Sequence, residues 1–236
     1  MNAADYGLLA SYLTEVELPK GQTLIEPFEP LRHSWFLLSG LASVVATTQS
    51  GSQAEVGVVG HEGLVSTATI HGIDAIPLRC FMQLPGTGLR IRVEDLRRAI
   101  EQSRTLERLL LAYAECFALQ IAGTSLAYAT RTIEERLARW LLMCDDRSIG
   151  GLVALTHEQL SLMLGVRRAG VTVALQSLES AQIVETKRGV IRILDRQGLL
   201  RLAGDAYGGP EADYERLIGP DPGLDTRVAD APRLAF

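Results

Sequence analysis

The chain has 236 residues, 47% of them hydrophobic and 22% charged, with a formal net charge of −5. That length suits one large domain or two smaller ones, each able to bury a core, and the composition excludes a largely disordered chain. The acidic balance argues against a protein that coats nucleic acid indiscriminately.

Cys80, Cys116 and Cys144 are odd in number and widely separated, without CxxC spacing. They support neither a disulfide framework nor a thiolate metal centre and read as small buried hydrophobes. No lysine or arginine precedes Lys20, and no uninterrupted apolar run approaches the roughly 18 residues of a membrane span. The expectation is a cytoplasmic protein with no membrane partner.

From about residue 18 to 93, short apolar runs (SWFLLSG, LASVVATT, EVGVVG, LRCFMQLPG) alternate with glycine, proline and polar turns. Close, even spacing of this kind predicts an antiparallel barrel or sandwich. At Val93 the texture becomes helical, with no proline and one glycine as far as Arg147. Leu106, Leu109, Leu110, Tyr113, Phe117 and Ile121 share one side of a long helix, and a stripe that long on a small β domain predicts a second copy as its partner. The alternative is a stripe packed only on its own barrel.

A third region follows the glycine pair Gly150-Gly151. Thr156 with Gln159 three residues on is a capping box, Leu160, Met163 and Leu164 form an inner face, and Gly165 suits a left-handed helix end. A second helix runs from about Arg167 to Ser180, and IVETKRGVIRIL alternates about Arg188-Gly189 as a β-hairpin. Helix, tight turn, helix and hairpin make a winged helix-turn-helix. In the second helix, Val171, Ala174, Leu175 and Leu178 point inward, leaving Arg168, Ala169, Thr172, Val173 and Gln176 outward. The sequence GVTV is poor helix-forming material, so another requirement selects it. Small and methyl-bearing side chains among hydrogen-bonding ones suit a DNA major groove, with Gly170 giving room for close approach. Arginine reads guanine, glutamine reads adenine, and alanine or threonine touches thymine methyls. Arg168, Ala169, Thr172 and Gln176 are therefore the candidate base readers, while Thr156, His157, Arg167, Lys187 and Arg188 are candidates for phosphate. Residues 155 to 203 hold seven Lys/Arg against four Asp/Glu, net +3, whereas 204 to 236 hold three against seven, net −4. The basic charge is thus confined to the helix-turn-helix.

This order of parts, and in particular IEERLARWLL, LTHEQLSLMLGV, TKRGVIRILD, HSWFLLSGLASVV and EVGVVGHEG, closely resembles the CRP/FNR family of bacterial transcription regulators over about residues 15 to 200. The resemblance implies an α+β protein: an N-terminal β-roll of the cyclic-nucleotide-binding type (1–100), a long dimerisation helix (101–130, through Leu106, Leu110, Tyr113, Phe117 and Ile121), a winged helix-turn-helix (131–203) and an acidic tail (204–236). It also implies a homodimer that regulates transcription at near-palindromic double-stranded DNA, with RNA polymerase a candidate partner. The recognition helix departs from the family's Ser-Arg-Glu pattern at Arg167, Arg168, Ala169 and Val173, so a different operator is expected. The Arg-Ser pair that holds a cyclic phosphate in nucleotide-binding members falls at Ile76-Pro77, so cyclic AMP is not expected. The remaining pocket candidates are Glu62, Leu64 and Arg79. No cysteine precedes Cys80, which argues against the family's iron–sulfur cluster. His33, His61 and His71 lack spaced partners, so haem is not expected either. The effector, if any, is not named by the sequence.

No P-loop, GxSxG, HExxH or dinucleotide-binding GxGxxG is present, so no enzyme is predicted and no catalytic or metal-binding residue is assigned. The competing reading is a ligand-binding or protein-interaction module of the same fold that has lost specific DNA binding.

Overall fold

The structure is a computed structural model and describes residues 1–147 and 152–219. The glycine pair Gly150-Gly151 and the distal part of the acidic tail lie outside the described residues.

Helix α1 (Ala3–Ala10), capped by the Asn2 side chain, precedes eight strands: β1 (Thr14–Leu18), β2 (Thr23–Ile25), β3 (His33–Leu37), β4 (Leu41–Thr47), β5 (Gln53–Val59), β6 (Leu64–Val65), β7 (Leu78–Leu84) and β8 (Gly86–Arg92). They form two antiparallel sheets, in the orders β1-β8-β3-β6 and β2-β7-β4-β5. Leu18, Trp35, Leu37 and Val65 of one sheet meet Leu24, Ile25, Val44 and Met82 of the other in a shared core. Alternating apolar residues on short strands leave each sheet one face to bury, and pairing the faces satisfies both.

Helix α2 (Val93–Gln102) follows at once. Ser103 then leaves helical geometry, and its hydroxyl accepts from Leu106 N at 3.2 Å, capping α3 (Arg104–Thr130). Helical texture that runs unbroken in the sequence is thereby split in two. By length and composition α3 could cross a bilayer, with a mean hydropathy of 1.4 over its most apolar stretch.

Its apolar stripe requires a correction. Leu106, Leu110 and Tyr113 are buried against Leu9, Phe36, Leu64 and Leu96 of the same protomer. Phe117 packs on the core between the sheets. The bulky side chains point inward because the β domain offers an apolar face along the same helix. They are not a partner-facing seam. Leu109, Phe117 and Ile121 are half-buried. The face left outward carries Leu111, Glu115, Ala118, Ala122, Ser125 and Ala129, all exposed, at alternating four- and three-residue intervals, with Leu126 63% exposed beside them.

After an extended Arg131 come α4 (Ile133–Arg147), β9 (Leu152–Ala154), α5 (His157–Leu164), α6 (Arg168–Ser180), β10 (Val184–Lys187), β11 (Val190–Ile193), α7 (Arg196–Ala203) and α8 (Gly209–Leu217). The second unit's core joins Leu137, Leu141, Leu160, Met163, Leu164, Val171, Leu175, Leu178, Ile191 and Leu199. The sequence predicts a short helix around Tyr214 to Ile218 running into a loose end. The observed helix is longer, and Tyr214 is buried in the core under α3. The cysteines occupy the places expected of small hydrophobes, with Cys80 between the sheets, Cys116 on the inner face of α3 and Cys144 on α4 in the second core.

Replacing Leu106 with alanine is expected to cost about 2–5 kcal/mol of protomer stability, as core truncations do. Denaturant unfolding measures that cost. A stability unchanged within error, together with weakened self-association, would restore Leu106 to an interface between copies.

Candidate nucleic-acid interface

Thr156 Oγ1 accepts from Gln159 N at 3.2 Å and Gln159 Oε1 accepts from Thr156 N at 3.0 Å, completing the capping box that starts α5. Gly165, at φ +61°, ends α5 in the left-handed conformation that glycine adopts without strain. Helix α6 then crosses α5 and α4. At the hairpin tip, Arg188 and Gly189 have φ of 48° and 78°. Positive φ at both central residues is the signature of the two-residue turn that matches strand twist. Glu179 near the end of α6 accepts from Thr186 N at 2.8 Å, tying the wing to the helix.

Of the candidate base readers, Arg168, Ala169 and Gln176 are exposed on one side of α6, together with Val173, which is 60% exposed. Thr172 is half-buried. Its hydroxyl donates to Arg168 O at 3.1 Å and lies 3.0 Å from His157 Nδ1, so its methyl group is the part left for a base edge. Gly170 does not serve close approach to an outside surface, because a Cβ there would lie 2.9 Å from Ile133 Cδ1. The glycine lets the start of α6 cross α4. The remaining oddity of GVTV divides in the same way: Val171 is core and Val173 is surface.

Among the phosphate candidates, Arg167 and Arg188 are exposed, and Lys187 sits 2.5 Å from Glu185 in an exposed pair that contributes little stability. Thr156 and His157 stand at the α5 N-terminus with their side chains engaged as described.

Of the pocket candidates, Glu62 and Leu64 both meet Tyr214, whereas Arg79 stands on β7. Leu64 is fully buried in packed side chains. Arg79 donates to Thr23 Oγ1 at 3.1 Å and lies over the Phe81 ring. Glu62, in the turn before β6, is buried and accepts from Arg147 Nε at 2.7 Å. Leu64 and Arg79 are engaged in packing, while Glu62 both holds α4 and lines a cavity with Tyr113, Phe117, Arg147 and Tyr214.

The Glu62–Arg147 pair is one of several contacts that mount the helix-turn-helix on the β domain. Glu55 of β5 is completely enclosed. It accepts from Trp140 Nε1 at 2.6 Å and from the Ser43 hydroxyl. Burial raises its carboxyl to about 7, against the hydrogen bonds from Ser43 and Trp140 and the nearby Arg139 and Arg147 guanidiniums. The Tyr128 hydroxyl is within hydrogen-bond reach of the carbonyls of Glu55, at 2.9 Å, and Met163. Lys20 Nζ donates to Ala154 O at 2.5 Å. Sequence reasoning missed this mounting. Its one signal is an acidic residue opening the otherwise apolar strand EVGVV.

Residues 135–202 match the family described as the Crp-like helix-turn-helix domain. No curated protein matches the chain by sequence. Among solved structures, FixK2 from Bradyrhizobium japonicum aligns with a TM-score of 0.69 and 19% identity, covering 81% of this chain and 98% of its own. The c-di-GMP responsive global regulator CLP of Xanthomonas campestris gives 0.64 and 14%, covering 82% and 100%. A CRP-family transcriptional regulator from Thermus thermophilus, TTHB099, gives 0.63 and 18%, covering 80% and 96%. These likenesses establish a common fold.

The enclosed carboxyl gives a signed prediction. Glu55 titrates near 7 when buried and near 4.5 when released. The folded form therefore binds the proton more tightly, and the contribution is lost as pH rises from about 4.5 to about 7. It amounts to about 3 kcal/mol. His33, whose imidazole burial holds below its usual range, acts in the opposite sense within the same window. The comparison of unaltered chain with Glu55→Gln isolates the carboxyl: the variant should lose this slope in denaturant unfolding between pH 5 and about 7.5. Parallel curves for the two proteins would refute the assignment.

Proposed function

Residues 135–202 are a Crp-like helix-turn-helix domain set in the fold of CRP/FNR-type regulators, and from that premise we propose that the protein is a cytoplasmic, sequence-specific transcription regulator acting as a homodimer on near-palindromic DNA. The observation that carries this reading is the outward face of α6, where Arg168, Ala169, Val173 and Gln176 stand exposed, as does Arg188 at the wing tip. In a major groove Arg168 takes two hydrogen bonds to guanine O6 and N7, Gln176 takes adenine N6 and N7, and Ala169, Val173 and the Thr172 methyl suit thymine methyls. Arg167, Lys187 and Arg188, with the free amides at the start of α5, position the unit on phosphates.

The second copy docks on the outward face of α3. Leu111, Glu115, Ala118, Ala122, Ser125 and Ala129 have the heptad spacing of a two-helix seam, and the small side chains from Ala118 onward permit close approach, with the one carboxylate, Glu115, toward the seam's start. Two recognition helices roughly 34 Å apart would then read successive major grooves. The β domain sets the orientation of the reading units through its contacts with α4 and α5. An effector acting on that domain would shift the orientation, and RNA polymerase is the downstream partner at a promoter.

Selection from random duplexes by the unliganded full chain at about 150 mM salt should enrich a two-fold symmetric site. Selection without enrichment, also in the presence of cell metabolites, would favour the module that has lost DNA binding. On the enriched site, Arg168→Ala should cost about 1–3 kcal/mol and relax preference at one base pair per half-site. Lys187→Ala should instead weaken all sequences alike and flatten the salt dependence. Equal, sequence-blind losses from both would overturn these roles. Ala122→Glu should dissociate the dimer in sedimentation analysis without altering the protomer's circular dichroism, because a long charged side chain would replace a small one in the middle of the seam, where the helices must approach closely.

A further inference from the structure

Beyond the helix-turn-helix match, residues 203–219 stay on the molecule. Ala203 ends α7 in the core of the DNA-binding unit, and the next residues hold to that unit and then turn back. The Ala206 carbonyl accepts from Arg139 Nε at 2.9 Å. The Tyr207 hydroxyl donates to Asp146, whose carboxylate is also held by Arg196 at 2.6 Å. Asp205 pairs with Arg131, which closes α3. A few residues later Pro210 lies against Gly123, where an added Cβ would be 3.3 Å from Pro210 Cγ. Tyr214 then buries its ring beside Leu64, Leu106 and Tyr113, its hydroxyl donates to Glu62 O at 3.2 Å, and Leu217 and Ile218 pack on the same cluster.

Residues 204–219 therefore grip the DNA-binding unit at one end and the core of the β domain at the other, across α3. We propose that this segment is a strut that locks the helix-turn-helix unit onto the β domain and so fixes its orientation for reading two half-sites at once. The direction of the effect follows from what stays exposed. In the locked arrangement Arg168, Ala169, Val173 and Gln176 remain open, so the strut positions the reading face and does not cover it. A unit already held in its bound orientation loses less freedom when the second half-site engages. The DNA arm of this proposal rests on the function proposed above. The mechanical arm does not.

Two full-chain variants test it, Tyr214→Ala combined with Leu217→Ala, and a four-residue Gly/Ser insertion between Tyr207 and Gly208, which keeps Gly208 as the cap of α8. The first unseats α8. The second leaves Tyr214 its seat and slackens only the connection, which keeps the test alive should the first variant lose its β-domain fold. In both, backbone amides of α5 should exchange hydrogen about tenfold faster, while those of β3 and β8 in the insertion variant keep their protection. Affinity for a selected two-half-site duplex should fall about tenfold, with single-half-site affinity unchanged. An α5 that keeps its protection in the insertion variant would overturn the strut. Equal losses on both duplexes would overturn its role in orientation. A full chain that binds no duplex would defeat the DNA reading, and the exchange comparison would still decide whether the strut holds.

Discussion

Helix α4 has no solvent face along its middle. From Leu137 to Cys144 eight successive residues are buried, and a helix enclosed on every side must be met by partners in all directions. α5 and α6 lie against one part of it, α7 against another, and the β domain takes the remainder through Leu41, Val58 and Leu84. Total enclosure also buries its polar groups, each of which then requires a partner. Trp140 finds Glu55, Arg139 finds the Ala206 carbonyl and Arg147 finds Glu62. The two units of the chain are continuous because α4 belongs to the core of both.

This shared helix explains where sequence reading succeeds and where it stops. The capping box at Thr156, the left-handed end at Gly165, the inward set of α6 and the two-residue turn at Arg188-Gly189 were all legible, because each depends on residues within a few positions of one another. The two-sheet β domain was legible for the same reason, since alternation on short strands is a local pattern. The direction of the α3 stripe was not. Periodicity says that Leu106, Leu110 and Tyr113 share a face, but it cannot tell a protomer's own core from a second copy, as both want the same residues. Long-range placement decided it.

Gly170 shows the same limit at a single position. Its freedom from a side chain was plain in the sequence, while the surface needing that room was Ile133, 37 residues earlier in the chain. Glu62 and Arg79 were legible as polar residues in an apolar domain. Their partners, Arg147 and Thr23, lie 85 and 56 positions away. Arg168, Ala169 and Gln176 were legible as an outward set, because their exposure follows from helical periodicity.

The three cysteines divide the molecule into three reporters of opening. Burial raises the Cys80 thiol to about 12 and the Cys116 thiol to about 11, and raises that of Cys144 as well. Since the thiolate is the reactive form, a thiol titrating near 12 presents about one reactive anion in a hundred thousand molecules at neutral pH. Electrophiles and peroxides therefore meet almost no nucleophile in the folded chain. Cys80 lies between the two sheets, Cys116 on the inner face of α3 near α8, and Cys144 in the wall that joins the units. Each becomes reactive only when its own shelter comes apart, so thiol alkylation timed residue by residue would chart the order in which this structure opens.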